Sequence, residues 1–125
     1  MRKILPSYII NFFNTTCSPC LLEIPDLQSF YNKNKDVINV VIIDYCEFSY
    51  VKDTKEIINK VLAPYDLDLT ILLDNYGIVT SLYNVKTLPV SFFIDSDGTV
   101  LWEHRNRVLK DDLNQLEKKY DKIFK

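Results

Sequence analysis

The stretch Tyr8-Ile-Ile-Asn-Phe-Phe-Asn-Thr-Thr-Cys17-Ser-Pro-Cys20 decides the fold of this chain. Its first six residues, Tyr8 to Phe13, form a nearly continuous apolar run rich in β-forming side chains, which predicts a strand buried on both faces. Pro19 suits the first turn of a helix, where its missing N–H costs nothing. We therefore expect the two cysteines to lie where a buried strand ends and a helix begins.

The residues that follow predict a βαβ unit. Cys20, Ile24, Leu27 and Tyr31 recur at the spacing of one face of an amphipathic helix. Residues 37–43, with the sequence Val-Ile-Asn-Val-Val-Ile-Ile, again indicate a buried strand. Strand, helix and strand in this order predict two parallel strands joined by a right-handed crossover.

The second half of the chain predicts three more strands and further helices. We expect a helix over residues 53–63, a short strand over 69–73 and a short helix over 76–83. Residues 90–94 and 99–103 flank the turn Asp95-Ser-Asp-Gly98, which predicts a β-hairpin. One face of a C-terminal helix is traced by Leu109, Leu113, Leu116, Tyr120 and Phe124. The predicted class is α/β, with a mixed central sheet, flanking helices and an extra helical insertion between the βαβ and ββα halves.

Size and charge limit the possible functions. A chain of 125 residues fits one domain, here residues 1–125. The net charge is −2 and the basic residues are scattered, so nucleic acid and anionic membranes are poor partners. We also expect a monomer. No apolar run approaches the ~18 residues of a membrane span. The start of the chain lacks the pattern of a signal peptide, so a cytoplasmic protein and a trimmed exported protein both remain open.

The cysteines carry the candidate chemistry. Three cysteines cannot form a fully paired framework, and two of them, Cys17 and Cys20, form a C-x-x-C motif. At a helix N-terminus, Cys17 would face unpaired amides and the positive end of the helix dipole, which lower the thiol pKa from ~8.5 toward neutrality. The resulting thiolate is the species that attacks disulfides. Cys20, one turn later and facing inward, would then resolve the mixed disulfide, with no cofactor or metal required.

Other interpretations of the motif are weaker. A zinc site would need Cys46 and His104 as further ligands, which are single and far apart in the sequence. An inert disulfide is the second alternative. A peroxidatic cysteine would follow a Pro-x-x-x-Thr-x-x-Cys run, but Ile10 and Asn14 stand at those positions. The βαβ context therefore favours redox chemistry.

Three residues outside the motif have ordinary structural interpretations. Cys46 is predicted to be a small buried side chain, although it follows a parallel strand and so could lie on the same side of the sheet as Cys17. Trp102 and His104 are predicted to be surface residues of an edge strand.

Two segments resemble a known family. Residues 8–25, YIINFFNTTCSPCLLEIP, and residues 83–100, YNVKTLPVSFFIDSDGTV, resemble the TlpA-like group of thioredoxin-like thiol–disulfide oxidoreductases, which includes the cytochrome c biogenesis reductases. The resemblance implies a thioredoxin fold, protein disulfide substrates and an upstream redox partner. It also implies an extracytoplasmic location, periplasmic or membrane-tethered in a full-length protein.

The resemblance further implies roles for single residues. Glu23 matches an acidic residue of the group and is the expected proton acceptor for Cys20. Pro89 matches the cis-proline that faces the disulfide, so Leu88 would present its backbone to an extended substrate beside Ser18 and Pro19. Two further positions match the family: Asn11 stands where ordinary thioredoxins have a buried Asp, and Pro25 matches the proline that kinks the active-site helix. Two positions depart from it, since Phe13 and Thr16 stand where the family usually has tryptophans.

Two function classes follow from the sequence. The first is an enzyme that reduces or exchanges disulfides in protein partners through Cys17 and Cys20. The second is a non-catalytic binding or scaffold module of the same fold, in which the cysteines are idle.

Overall fold

Five strands form one mixed sheet in the computed structural model, which describes residues 5–45, 54–74 and 76–124. The sheet order is β3-β2-β1-β4-β5; β2 pairs in parallel with β1 and β3, whereas β4 pairs antiparallel with β1 and β5. The strands are β1 (Ser7–Phe13), β2 (Ile38–Tyr45), β3 (Thr70–Asp74), β4 (Val90–Ile94) and β5 (Val100–His104). This architecture confirms the predicted α/β class with a βαβ half and a hairpin half.

The helices surround the sheet in the predicted order. They are α1 (Ser18–Asn34), α2 (Thr54–Leu62), α3 (Ile78–Leu82), α4 (Lys110–Lys119) and α5 (Asp121–Phe124), with a 3₁₀ turn at Ala63–Tyr65. The elements α2, β3 and α3 form the predicted insertion between the two halves. The predicted helix start at Asp53 and the predicted burial of Cys46 lie outside the described residues.

Alternation along β1 separates two apolar layers. Ile9 packs in one buried cluster with Leu27 of α1 and Leu113 of α4, and Phe13 packs in another with Ile24 of α1 and Ile58 of α2. Phe12, one residue away, points to the opposite face and packs with residues of β2 and β4. Because successive strand side chains alternate between faces, Ile9, Asn11 and Phe13 all face α1. A polar residue therefore stands in the middle of an apolar row.

The C-terminal helix differs from its prediction. Leu113 and Leu116 are buried as predicted, but Leu109 is the N-cap of α4 and is 49% exposed. The helix is also interrupted at Tyr120, which separates α4 from α5. The Tyr120 hydroxyl donates a hydrogen bond of 2.6 Å to the Leu101 carbonyl, and its ring packs against Phe93. Beyond the break, Phe124 stacks on the same Phe93 ring, with 5.6 Å between centroids. The contacts of Tyr120 and Phe124 with Phe93 and Leu101 thus coincide with the break between α4 and α5.

Candidate active site

Cys17 and Cys20 lie at the junction that the sequence predicted. Cys17 is the N-cap of α1, with extended backbone (φ −94°, ψ 102°), and its sulfur accepts a hydrogen bond of 3.3 Å from the Cys20 amide. Cys17 is half-buried, whereas Cys20 is 0% exposed. The two sulfurs are joined in a disulfide. A helix N-terminus supplies donors to a thiolate at the position of Cys17, while burial shields Cys20 from solvent.

The loop before the helix is short and polar. The Asn14 side-chain carbonyl accepts hydrogen bonds from the Thr16 amide and hydroxyl at 3.2 and 3.0 Å, and the Asn14 backbone carbonyl accepts one from the Cys17 amide at 3.3 Å. Thr16, Ser18 and Pro19 are exposed around Cys17. The half-buried residue Cys17 is therefore bordered by exposed residues on both sides in the sequence.

The loop before β4 lies close to this junction. Val90 pairs with Phe12, so Pro89 precedes the strand at the end of the sheet where β1 leads into the cysteines. Leu88 and Cys17 both pack against the buried cluster that contains Phe13 and Cys20. The Leu88–Pro89 peptide bond is cis, as the sequence predicted.

Glu23 is a fully buried carboxyl group three residues after Cys20. Its side chain is 0% exposed, Oε2 accepts a hydrogen bond of 2.6 Å from the Val108 amide, and Oε1 accepts one from the Asn11 side-chain amide. Desolvation raises the pKa of Glu23 from 4.5 to about 7, although these two hydrogen bonds and the positive charge of Arg107 lower it in part. The group therefore titrates near neutral pH, where it can accept or release a proton.

Asn11 links Glu23 to the sheet. Its Nδ2 donates both to Glu23 and to the Ser91 hydroxyl, at 2.8 Å for the second bond, and all three side chains are 0% exposed. Its Oδ1 has no hydrogen-bond partner among the described residues. The family resemblance implied a buried position for Asn11, and the structure places it there in contact with Glu23 and Ser91.

Sequence reasoning did not identify Ser91, Arg107 or Val108 as part of this site. Ser91 is a polar residue inside the fully buried strand Val90–Ile94, which is a signal that could have been used. The Val108 amide and the Arg107 charge carry no local sequence signal, because they reach Glu23 only through tertiary folding.

The sequence profile of the AhpC/TSA family matches residues 6–103, which include both cysteines, Glu23 and Pro89. The chain belongs to the AhpC/TSA family. Membership does not bring a peroxidatic motif with it, since Ile10 and Asn14 replace the proline and threonine of that motif.

Several relatives of this chain are named as thiol–disulfide oxidoreductases. ResA of Bacillus thuringiensis subsp. konkukian, a thiol-disulfide oxidoreductase, is 31% identical over 111 residues, which are 88% of this chain and 61% of ResA. This chain thus spans less than two thirds of that relative. The structure of a candidate thiol:disulfide interchange protein DsbE from Chlorobium tepidum is 26% identical, with a TM-score of 0.79 over 96% of this chain and 81% of the other.

A third similar protein has the same fold. Etrx1 of Streptococcus pneumoniae, described as an exposed lipoprotein thioredoxin, is 23% identical, with a TM-score of 0.76 over 91% of this chain and 84% of the other. The fold is therefore thioredoxin-like, as the resemblance implied. Among the described residues, no helix is both long enough and apolar enough to span a bilayer.

Phe13 is fully buried in the cluster with Cys20. Of the two positions that replace tryptophans, only Thr16 therefore contributes to the surface around Cys17.

Trp102 and His104 lie on the edge strand β5, as predicted, but both are half-buried and their rings stack on one another, with centroids 5.3 Å apart. The prediction that they are surface residues is corrected, because Trp102 packs against the buried cluster formed with α4.

The described residues supply no set of ligands for the zinc site that the sequence left as an alternative. No group of three or more His, Cys, Asp or Glu side chains comes together there. Cys46, a required ligand in that alternative, lies outside the described residues.

Proposed function

We propose that the chain is a thiol–disulfide oxidoreductase that reduces or exchanges disulfides in protein partners through the Cys17–Cys20 pair. The observation that carries the proposal is the asymmetry of the pair: Cys17 caps a helix and is partly accessible, whereas Cys20 is buried next to a buried acid. An attacking thiol needs access and a lowered pKa, and a resolving thiol needs proximity and a proton acceptor.

The first step is the attack of Cys17 on a substrate disulfide. The Cys17 thiolate, stabilised by the amides of the first turn of α1, forms a new bond to one substrate sulfur. The substrate S–S bond breaks, and the other substrate sulfur leaves as a thiolate that takes a proton from solvent. The product of this step is a mixed disulfide between Cys17 and the partner.

The second step is resolution by Cys20. Glu23 lies at the i+3 position from Cys20 on the same buried face of α1, so the two side chains are neighbours. Glu23 accepts the Cys20 proton, directly or through one water, and the Cys20 thiolate attacks the Cys17 sulfur. The Cys17–Cys20 disulfide forms as the bond between Cys17 and the substrate breaks, and the second substrate sulfur leaves as a thiolate that takes a proton from solvent. Two electrons have then moved from the dithiol to the substrate, and an upstream redox partner must return them.

Substrate docking is part of the same proposal. We assign docking to Ser18 and Pro19, which are exposed next to Cys17 in the sequence, and to Leu88 and Pro89. The assignment is supported by Leu88, which packs against the same buried cluster as Cys17. A backbone segment at the start of β4 suits pairing with an extended peptide, which gives affinity with little sequence preference. This fits a protein whose substrates are defined by an accessible disulfide and not by a fixed sequence.

We also propose an extracytoplasmic location and an exported substrate, for which apocytochrome c is one candidate. The support is the resemblance to the TlpA-like group, together with the similarity to Etrx1, an exposed lipoprotein by its description. The purified chain should be a monomer, which size-exclusion chromatography with light scattering would test.

Insulin reduction in the presence of dithiothreitol tests the activity. Wild type should accelerate insulin precipitation, and Cys17→Ser should fall to the uncatalysed rate. Cys46→Ser is the matched control, because it removes a thiol outside the pair, and it should keep the wild-type rate. Equal rates for wild type and Cys17→Ser would reject the proposal and favour the scaffold module with idle cysteines.

A further inference from the structure

Three polar side chains form a row across three neighbouring strands. Asn11 of β1 pairs in register with Ser91 of β4, and Ser91 pairs in register with His104 of β5. Residues paired across a sheet point to the same face, so all three lie on the face that α1 covers. Asn11 and Ser91 already belong to the Glu23 site. His104, the single histidine of the chain, extends that row to the edge of the sheet.

One peptide group connects His104 to Glu23. His104 Nε2 lies 3.1 Å from the carbonyl oxygen of Arg107, and the amide of the same peptide bond, that of Val108, donates to Glu23 Oε2 at 2.6 Å. A carbonyl oxygen can only accept, so Nε2 must carry a hydrogen in this contact. Both the carbonyl and the N–H of this peptide group are therefore hydrogen-bonded. A donor to the carbonyl makes the N–H a stronger donor to the Glu23 carboxylate.

The His104 ring is itself fixed in place. It stacks on Trp102 at an interplanar angle of 16°, and its Nε2 lies 3.6 Å from Asp112 Oδ2. Asp112 also accepts a hydrogen bond of 2.8 Å from the Leu109 amide at the start of α4. The histidine is therefore oriented by contacts from β5 and α4 and cannot rotate freely away from the Arg107 carbonyl.

We propose that His104 is a positioning residue for Glu23: by holding the peptide between Arg107 and Val108, it fixes the backbone donor that binds the Glu23 carboxylate. This inference rests on the proposed role of Glu23 in the resolving step. It assigns a part in that step to a half-buried edge-strand residue 81 positions away in the sequence.

The direction of the effect follows from the charges around the acid. Glu23 faces the Val108 amide, the Arg107 guanidinium and the uncharged Asn11 side chain, and Cys20 is its neighbour on α1. On the other side of the peptide, His104 faces the Asp112 carboxyl. Without the His104 donor, the Val108 hydrogen bond to the Glu23 anion weakens. The protonated form of Glu23 then gains relative to the anion, and the pKa of Glu23 rises further.

The test measures the pH dependence of the resolving step in a single turnover, as release of substrate thiol from a preformed mixed disulfide on Cys17. His104→Phe keeps a ring for Trp102 but has no donor, and His104→Asn has an amide too short to reach the Arg107 carbonyl. His104→Gln is the conservative variant, because its amide lies where Nε2 lies. Far-UV circular dichroism confirms folding before each titration.

In wild type, the rate of substrate-thiol release should rise with pH as Glu23 loses its proton, and we call this rise the alkaline-rising limb. We expect the midpoint of this limb to move up by about 0.5 to 1 pH unit in His104→Phe and His104→Asn, and to stay at the wild-type position in His104→Gln. Unchanged limbs in the first two variants, or an equal shift in His104→Gln, would overturn the proposal. Glu23→Gln separates the role of Glu23 from that of His104. If Glu23→Gln keeps the alkaline-rising limb, the proposed role of Glu23 itself fails. If Glu23→Gln loses the limb and the His104 variants do not shift it, only the proposed role of His104 fails. If His104→Phe does not fold, His104→Asn and His104→Gln decide the matter.

Discussion

Replacement of Glu23 by glutamine should change how the stability of the protein depends on pH. The pKa of Glu23 in the folded protein is about 7, against 4.5 for an ordinary glutamate, and the cause is burial. Between these two pH values the folded protein holds a proton that the unfolded chain has lost. Stability is therefore lost as the pH rises through this window and is constant above it. Each pH unit of the window is worth 1.36 kcal/mol, so the loss amounts to about 3 kcal/mol.

Glutamine has the shape of the protonated acid and does not titrate. Its carbonyl can accept from the Val108 amide, and its amide can donate to Asn11 Oδ1 if the Asn11 side chain turns over, since that oxygen has no partner among the described residues. Relative to wild type, Glu23→Gln should thus become more stable by about 3 kcal/mol as the pH rises from 4.5 to 8.

Urea denaturation of the oxidised proteins at a series of pH values measures this difference. The disulfide must stay intact, so that neither cysteine of the pair titrates. Glu56→Gln, which removes an exposed carboxyl group of α2, controls for the loss of one negative charge and should follow wild type at every pH. Parallel curves for wild type and Glu23→Gln would refute the buried-acid argument.

Two further predictions concern the thiols and the insertion. In the reduced protein at neutral pH, iodoacetamide should label Cys17 before Cys20, because only Cys17 is partly exposed, and mass spectrometry of the alkylated peptides would reveal the reverse order. Asp74→Ala should lower the unfolding free energy by about 1–2 kcal/mol, because the Asp74 carboxylate accepts hydrogen bonds from the Val79 and Thr80 amides at the start of α3. Urea denaturation at pH 7 checks it, and an unchanged midpoint would mean that α3 does not depend on this cap.

The elements with strong local patterns could be predicted from the sequence. The first strand, the proline at the first helical turn and the hairpin turn at Asp95 to Gly98 each follow from neighbours in the chain. The prediction that this strand is buried on both faces is wrong at Tyr8, which is exposed. The apolar face of α1 follows the predicted spacing: Cys20, Ile24 and Leu27 are buried, and Tyr31 is half-buried and packs against the cluster that contains Leu27. Phe30, Glu23 and Asn34 complete the buried face, and Glu23 is buried because tertiary partners satisfy it.

The rest of the site depends on contacts between distant segments. Ser91 reaches Asn11 over 80 positions and Val108 reaches Glu23 over 85, so no local periodicity encodes either contact. The same holds for His104, whose place on β5 suggested a surface residue until the register with Ser91 and the packing of Trp102 were known. A C-x-x-C motif identifies the sulfur chemistry, but the groups that set the pKa of the neighbouring acid come from β1 and from the segment between β5 and α4.

Trapping of a mixed disulfide tests the central claim most directly. In Cys20→Ala the resolving thiol is gone, so attack by Cys17 on a protein disulfide should stop at the covalent adduct. After incubation of this variant with an oxidised, disulfide-containing protein, non-reducing electrophoresis should reveal an adduct that dithiothreitol releases, and mass spectrometry should place the bond at Cys17. Absence of an adduct, or an adduct formed only through Cys46, would contradict the account.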